Sequence, residues 1–315
     1  PVLRALSDVT RVIWNASIGL CMSQAAKQPV ENFELVPLQP LFAAEVRGLD
    51  LRKSLTPVEV EAVEKAIRQY AVLLFRDQPM SDDEHARFTR NFGPIDAGLT
   101  LANAPRKQRL TNTDVIDLAN MDADGHVYPA DHARNVSLIA NQMWHSDSSF
   151  KNPPAKYSVL CGIDVPDKGG ETEFADQRAA YDALDDAAKS ELEGLVAEHW
   201  AFHSRNLLGN GGYTQDGIEQ LPAVEWPLVQ TVPESGRKTL FLGVHTREIR
   251  GWATAPARMY LMDLLEHATQ REFVYRHTWR DGDVLMWDNR CTLHRGRRYD
   301  LAAKREIRRC TVELA

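Results

Sequence analysis

Apolar and polar residues alternate with a period of two through FELVPLQPLFAAEVRGLDL (33–51), the pattern of edge strands with one buried face. Thr56-Pro57 then supplies an N-cap and a first-turn proline for the acidic amphipathic stretch VEVEAVEKAIRQ, which predicts a helix. AVLLF (71–75) is short and apolar throughout, as a buried strand is. Ser81 and Glu84 form a capping box ahead of HARFTRNF, and Gly93 stops that helix.

From Asp96 to Asn141 periodicity is weak and turn formers are frequent, so the segment reads as long loops. Loops of that length inside a compact domain suggest a lid or pocket wall. AKYSVLCGIDV then predicts a strand, DQRAAYDALDDAAKSELEGLV two short helices, and PARMYLMDLLEHATQ a strongly amphipathic helix. FVYRHTW and DVLMWD are strands joined at an Asp281-Gly282 turn, and AAKREIRRCTVEL alternates like a terminal strand. A strand-rich second half with helices inserted predicts a mainly β fold, a sandwich or jelly roll with helical insertions, over a parallel α/β sheet.

At 315 residues and 43% hydrophobic the chain can bury one large core, and no repeat or linker divides it. A single domain over 33–315 is expected, with residues 1–32 an N-terminal extension outside the core. Within that extension, Arg4 and Arg11 before VIWNASIGLCM loosely imitate a signal peptide, while Met22 as the natural start is another reading. A net charge of −7 argues against a nucleic-acid partner, although basic residues are dense from Arg295 to Arg309. Cys21, Cys161, Cys291 and Cys310 are scattered without a C-x-x-C, which suits neither a zinc knuckle nor a disulfide framework and fits a cytoplasmic location. No apolar run reaches the roughly 18 residues of a membrane span.

MWHSDSSF (143–150) reads as strand and turn, and it places His145 and Asp147 two positions apart. Side chains at i and i+2 of a strand share a face, so an imidazole and a carboxylate can meet one ion. A third donor is available at His294, 147 residues beyond Asp147, in WDNRCTLHRGRRYD. Two histidines and one carboxylate make the facial triad of non-haem Fe(II) oxygenases, with positions left for substrate and dioxygen. An H-x-D triplet alone is common, and isolated ionisable residues mostly face solvent or cap turns. Arg305 and Arg309 strengthen the case. Four apart on a strand they point the same way, and an arginine fork near Fe(II) is what a dicarboxylate cosubstrate such as 2-oxoglutarate requires. Arg297, Arg298 and Arg308 read as a solvated basic face.

Other apparent motifs carry less. His199 and His203 in HWAFH have the i, i+4 spacing of a zinc helix but lack its glutamate. GNGGY lacks the spacing and lysine of a phosphate loop, and the methionines of RMYLMDLLEHA read as core stripe. His245 reads as a satisfied histidine near the core.

NQMWHSDSSF, GGETEFADQRAAYDAL, EFVYRHTW and LMWDNRCTLHRGRRYD occur in this order, and together they resemble the taurine/2,4-dichlorophenoxyacetate dioxygenase family, its phenoxyacetate-degrading branch in particular, from about Phe33 to the C-terminus. The resemblance implies a double-stranded β-helix, with His145, Asp147 and His294 as Fe(II) ligands. It also implies Thr172 and Arg305 on the distal carboxylate of 2-oxoglutarate, and Arg309 and Asn141 facing an anionic substrate. His126 and Lys107 are candidates for further substrate contacts from the loop before Asn141. The activity implied is hydroxylation of an aryloxyacetate with ether cleavage to a phenol and glyoxylate, alongside succinate and carbon dioxide, stimulated by ascorbate, in a homo-oligomer. The same arginine would also accept taurine, another sulfonate or a sulfate ester, and a metal-bearing jelly-roll module without turnover is the alternative of another kind.

Overall fold

A computed structural model of the chain describes residues 28–30, 33–96, 109–209 and 215–314. The described strands are, in chain order, β1 Gln28–Val30, β2 Phe33–Pro37, β3 Ala44–Arg47, β4 Val72–Phe75, β5 Ile116–Asp117, β6 Ala155–Asp164, β7 Thr172–Asp176 and β8 Val196–His199. They continue as β9 Val224–Pro227, β10 Val229–Thr231, β11 Lys238–Leu240, β12 Thr246–Ile249, β13 Val274–His277, β14 Val284–Asp288, β15 Thr292–Gly296 and β16 Glu306–Glu313. The chain is mostly sheet with some helices, as the patterning predicts.

Eight strands form one sheet in the order β1-β2-β3-β4-β14-β6-β16-β5, and β13-β7-β15 form a second. Residues ahead of Phe33 contribute to the first of these, because β1 pairs antiparallel with β2 at its edge. The Asp281-Gly282 turn does not close a hairpin. It carries the chain from β13 in the small sheet to β14 in the large one, where β14 lies between β4 and β6.

Alternation along these strands decides what fills each layer. Val284 and Met286 of β14, Leu73 and Phe75 of β4, and Tyr157 and Val159 of β6 pack on one face. There they meet Val63 and Ile67 of helix α1 (Pro57–Tyr70) and Phe88 of helix α2 (Asp82–Arg90). Both helices start as expected, Thr56 with Glu59 and Ser81 with Glu84 each closing a capping box. Loss of either cap hydroxyl costs about 1 kcal/mol. Leu285 and Trp287 of β14, Val72 and Leu74 of β4, Leu160 and Ile307 face the other way and meet Phe174 of β7, so the two sheets share a core. Burying Trp287 completely is worth roughly 3–5 kcal/mol against alanine. Ala175 and Leu293, on the outer face of the small sheet, are covered by Trp144 and by Leu265 of the long helix Thr254–Ala268. Strands β8, β9 and β12 and the pair β10–β11 belong to the insertion that also carries this helix.

Two stretches differ from the patterning. The Asp96–Asn141 segment, expected to be loop, contains β5 and helix α3 (Ala133–Ala140). The start of α3 is capped by His132, whose Nδ1 accepts from the Arg134 N–H, and histidine is not a residue that usually signals a helix start. MWHSDSSF is not a strand: His145 makes one isolated bridge, to His294, and Asp147 already lies in a turn with Ser148 at φ 52°. Small hydroxyl residues that hydrogen-bond their own surroundings favour such a turn over a ladder.

Candidate metal centre and cosubstrate cavity

Strand parity puts four polar side chains into the apolar space between the sheets. His294 pairs with Phe174, and Gly296 pairs with Thr172, so Thr172 and His294 share the inner face of the small sheet. Opposite them, Ser158 of β6 and Arg309 of β16 lie on the inner face of the large sheet, Arg309 in register with Leu160. His145 is brought in by backbone alone. It exchanges both peptide hydrogen bonds with His294, at 3.0 and 2.8 Å. Gly243 eases this approach: its φ of 152° disfavours other residues, and a Cβ there would stand a tight 3.3 Å from the His145 Cα.

His145, Asp147 and His294 converge, with one ligand atom from each lying within 4.8 Å of the others. They are 6%, 5% and 5% exposed. Nε2 of His145 is 3.9 Å from Oδ1 of Asp147, and Nε2 of His294 is 3.7 Å from Oδ2. Cis ligands at about 2.1 Å from an ion stand about 3 Å apart, so small side-chain rotations close the set. Nδ1 of His145 lies 2.7 Å from the Met143 carbonyl, which can only accept. The proton therefore sits on Nδ1 and the Nε2 lone pair is left for a metal. Nδ1 of His294, on the ring edge away from Asp147, is buried with no protein partner.

Protonation favours ligation as well. Burial lowers the pKa of His145, and burial together with the His145 charge takes His294 well below the usual imidazole value, so both are neutral donors. For Asp147 burial opposes ionisation, but the Arg309 charge, helped by the Ser158 hydrogen bond, outweighs it and holds the carboxyl far below the ordinary carboxylate range. Its oxygens are fixed by hydrogen bonds from Ser158 Oγ at 2.7 Å and Arg309 Nη1 at 2.5 Å, and its N–H donates to Asn289 Oδ1 at 3.2 Å. Asn289 in turn donates to Ser158 and accepts from the Trp287 indole. Such outer partners orient a ligating carboxylate.

A cavity runs from this triad between the sheets, lined by His145, His294, Asn141, Thr172, Arg305 and Arg309 among others. Of the ligand and anion-binding residues that the resemblance implies, His145, His294, Asn141, Thr172, Arg305 and Arg309 thus border the cavity, and Asp147 joins them through its cluster with the two histidines. Arg305 immediately precedes β16 and ends beside Gly170, its guanidinium over the Tyr299 ring at 5.3 Å. Its Nε is buried and unpartnered, and among the described residues no carboxylate pairs with it. Asn141 caps the end of α3, where its carbonyl accepts from Gly296 at 2.8 Å. Leu138 of α3 and Gln142 complete that wall.

Two readings change, those of His126 and His245. His126 is exposed beside Asp122 and away from the cavity, because the turn that carries it is held by the Asp122 side chain. Lys107 lies outside the described residues. His199 and His203 do not share a helix: one ends β8 and the other opens a short helix. His245 is buried but not satisfied, its Nδ1 lacking a partner while its ring stands 6.3 Å from that of His145. Ser158 and Asn289 escaped the sequence reading. A serine at an inward position of the otherwise apolar AKYSVLCGIDV was the available signal.

This geometry coincides with homology. The family model described as taurine catabolism dioxygenase TauD, TfdA family, matches residues 34–311. The chain belongs to that family. An alpha-ketoglutarate-dependent 2,4-dichlorophenoxyacetate dioxygenase of Cupriavidus pinatubonensis is 52% identical over 88% of the chain and 96% of its own length. An (S)-phenoxypropionate/alpha-ketoglutarate-dioxygenase of Sphingobium herbicidovorans is 34% identical over 87% and 92%. Among solved structures, AAD-2 in complex with Mn(II) and N-oxalylglycine superposes with a TM-score of 0.83 at 43% identity, covering 90% of this chain and 97% of that one.

Proposed function

We propose that this chain is an Fe(II)- and 2-oxoglutarate-dependent dioxygenase that hydroxylates an aryloxyacetate such as 2,4-dichlorophenoxyacetate. The observation that carries the reading is Arg305, a cation without a carboxylate partner, placed with Thr172 on the same cavity as a buried two-histidine, one-aspartate cluster. Fe(II) held by His145, Asp147 and His294 supplies, with 2-oxoglutarate and dioxygen, the oxidising chemistry that puts one oxygen atom into a C–H bond and the other into succinate as carbon dioxide leaves.

The chain's own residues do the rest. Arg305 and the Thr172 hydroxyl take the distal carboxylate of 2-oxoglutarate by charge-assisted hydrogen bonds. Arg309, with Nη1 committed to Asp147, has its Nε free to help hold the substrate carboxylate, and Asn141 borders the substrate side. A fixed carboxylate presents the adjacent methylene to the metal side and excludes other orientations. Hydroxylation there gives a hemiacetal, which releases the phenol and leaves glyoxylate.

The two facing sheets support a double-stranded β-helix (jelly-roll) core: from β13 to β16 the chain passes alternately between them. The buried, unpaired Cys161, Cys291 and Cys310 support a reducing, cytoplasmic setting. No helix among the described residues is long and apolar enough to cross a membrane.

Succinate formation from 2-oxoglutarate with Fe(II) and ascorbate, measured across an anion panel, tests the reading. Phenol and glyoxylate released in step with succinate from a phenoxyacetate are expected. Sulfite from taurine, or an aldehyde from a sulfate ester, in place of these would transfer the assignment to those anions. Absence of 2-oxoglutarate consumption with every anion would leave a metal-binding module.

A further inference from the structure

The cavity wall that receives the cosubstrate depends on a residue that does not border it. Trp279 follows β13 and is buried in the core between the sheets, with the His277 ring edge-on at 4.8 Å on one side and Gly162 against its six-membered ring on another. Its Nε1 donates to Thr172 Oγ1 at 3.0 Å.

An indole N–H can only donate, whereas a threonine hydroxyl has one hydrogen and two lone pairs. With one lone pair engaged by Trp279, the hydroxyl hydrogen must point elsewhere. Among the described residues no protein acceptor takes it, and the side chain lines the cavity that Arg305 also lines. Thr172 and Arg305 then offer the same space two donors, and the unpartnered Tyr299 hydroxyl beside Arg305 can donate there as well. A carboxylate, which accepts at both oxygens, suits that space, while a neutral chain end or an amide N–H does not.

We propose that Trp279 is a positioning residue that locks the Thr172 hydroxyl as a hydrogen-bond donor and thereby adds to the site's selectivity for a 2-oxo acid ending in a second carboxylate. The inference rests on the reading above that Thr172 and Arg305 receive the distal carboxylate of 2-oxoglutarate. Trp279 touches no reacting group and acts only through Thr172.

The test compares two cosubstrates, 2-oxoglutarate and 2-oxovalerate, which lacks the distal carboxylate. Trp279→Phe keeps a ring in the core and removes the N–H. It is expected to raise KM for 2-oxoglutarate about three- to tenfold, the usual worth of one hydrogen bond. The kcat at saturation and KM for 2-oxovalerate are expected to stay unchanged. Calorimetric binding of N-oxalylglycine to the Mn(II) protein should weaken by the same factor. In a Thr172→Val background the tryptophan substitution should add nothing further.

Equal weakening of both oxo acids, or no weakening of either, would overturn the proposal. If Trp279→Phe does not fold, replacing Trp279 by benzothienylalanine removes the N–H with the shape retained, and the same comparison applies. Arg305→Ala separates the two readings. Should it fail to discriminate 2-oxoglutarate from 2-oxovalerate, the cosubstrate assignment itself falls, whereas discrimination by Arg305→Ala but not by Trp279→Phe removes only the role of Trp279.

Discussion

Half-buried Arg309 forms an ion pair with buried Asp147, Nη1 of the last strand's arginine donating to Oδ1 of the aspartate at 2.5 Å. Without a metal ion, that guanidinium is the main counter-charge for a carboxylate deep between two sheets. Breaking a fully buried pair from one side leaves an uncompensated charge and costs about 3–5 kcal/mol; with Arg309 half-buried, the lower end of that range applies. Arg309→Ala is therefore expected to lower the melting temperature of the metal-free protein markedly. Mn(II) should recover much of the loss, because the cation replaces the missing charge. Thermal melts of both proteins with and without Mn(II) check this, and an equal deficit in the two conditions would show that Arg309 does not serve Asp147. The same variant should also need more of the anionic substrate to saturate.

Arg305 is expected to separate binding of cosubstrate from everything else. A charge-assisted hydrogen bond is worth about 1.5–3 kcal/mol, so Arg305→Ala should raise KM for 2-oxoglutarate by about ten- to a hundredfold. The affinity for Mn(II) alone should be little altered, since Arg305 makes no contact with the three ligands. Kinetics over a 2-oxoglutarate series and a separate Mn(II) titration read the two effects. An unchanged requirement for 2-oxoglutarate would count against the assignment of the distal carboxylate to this residue.

How far such roles could be read from the chain depended on whether a residue's neighbours in sequence are also its neighbours in space. Thr56, Ser81 and the alternation of VLMWD are local signals, and the helices and the central strand β14 follow from them. His145, Asp147 and His294 were legible because their chemistry is distinctive and the flanking blocks resemble a known family. Ser158 and Asn289 were not, since a serine or an asparagine acquires meaning only when the fold brings a carboxylate to it over 11 or 142 residues. The strand expected at MWHSDSSF failed for a related reason. The pairing His145 makes with His294 is non-local and stops after one residue pair, which no local pattern records.

His294 offers the most direct test of the metal cluster. Its backbone pairing with His145 does not depend on the side chain, so His294→Ala should retain the fold. Removing the ring from against Trp287, 4.6 Å away, opens a small cavity and is expected to cost about 2–3 kcal/mol. Iron-dependent succinate formation should disappear while the far-ultraviolet dichroism is preserved. Full activity in this variant would eliminate His294 as a ligand.

Two buried histidines that do not line the cavity predict how stability responds to acid. Burial pushes the pKa of His85 down to about 4 and that of His199 down to about 3, against 6.5 for an ordinary imidazole. Both are neutral in the native protein at pH 5 to 7, but the unfolded chain takes up a proton at each below about 6.5. The unfolded state thus binds more protons, and stability falls as pH falls. Above about pH 6.5 neither group contributes a slope; below it each adds up to about 1.4 kcal/mol per pH unit until the native value is reached, His85 stopping near 4 and His199 near 3. Urea denaturation at pH 7, 6 and 5 should show this decline. Because the Val159 carbonyl accepts from His85 Nε2, glutamine can keep that bond without titrating. His85→Gln is therefore expected to reduce the slope between pH 6 and 5 by about 1.4 kcal/mol per unit, whatever its stability at pH 7. A slope identical to that of the parent protein would mean that His85 is not held neutral by its burial.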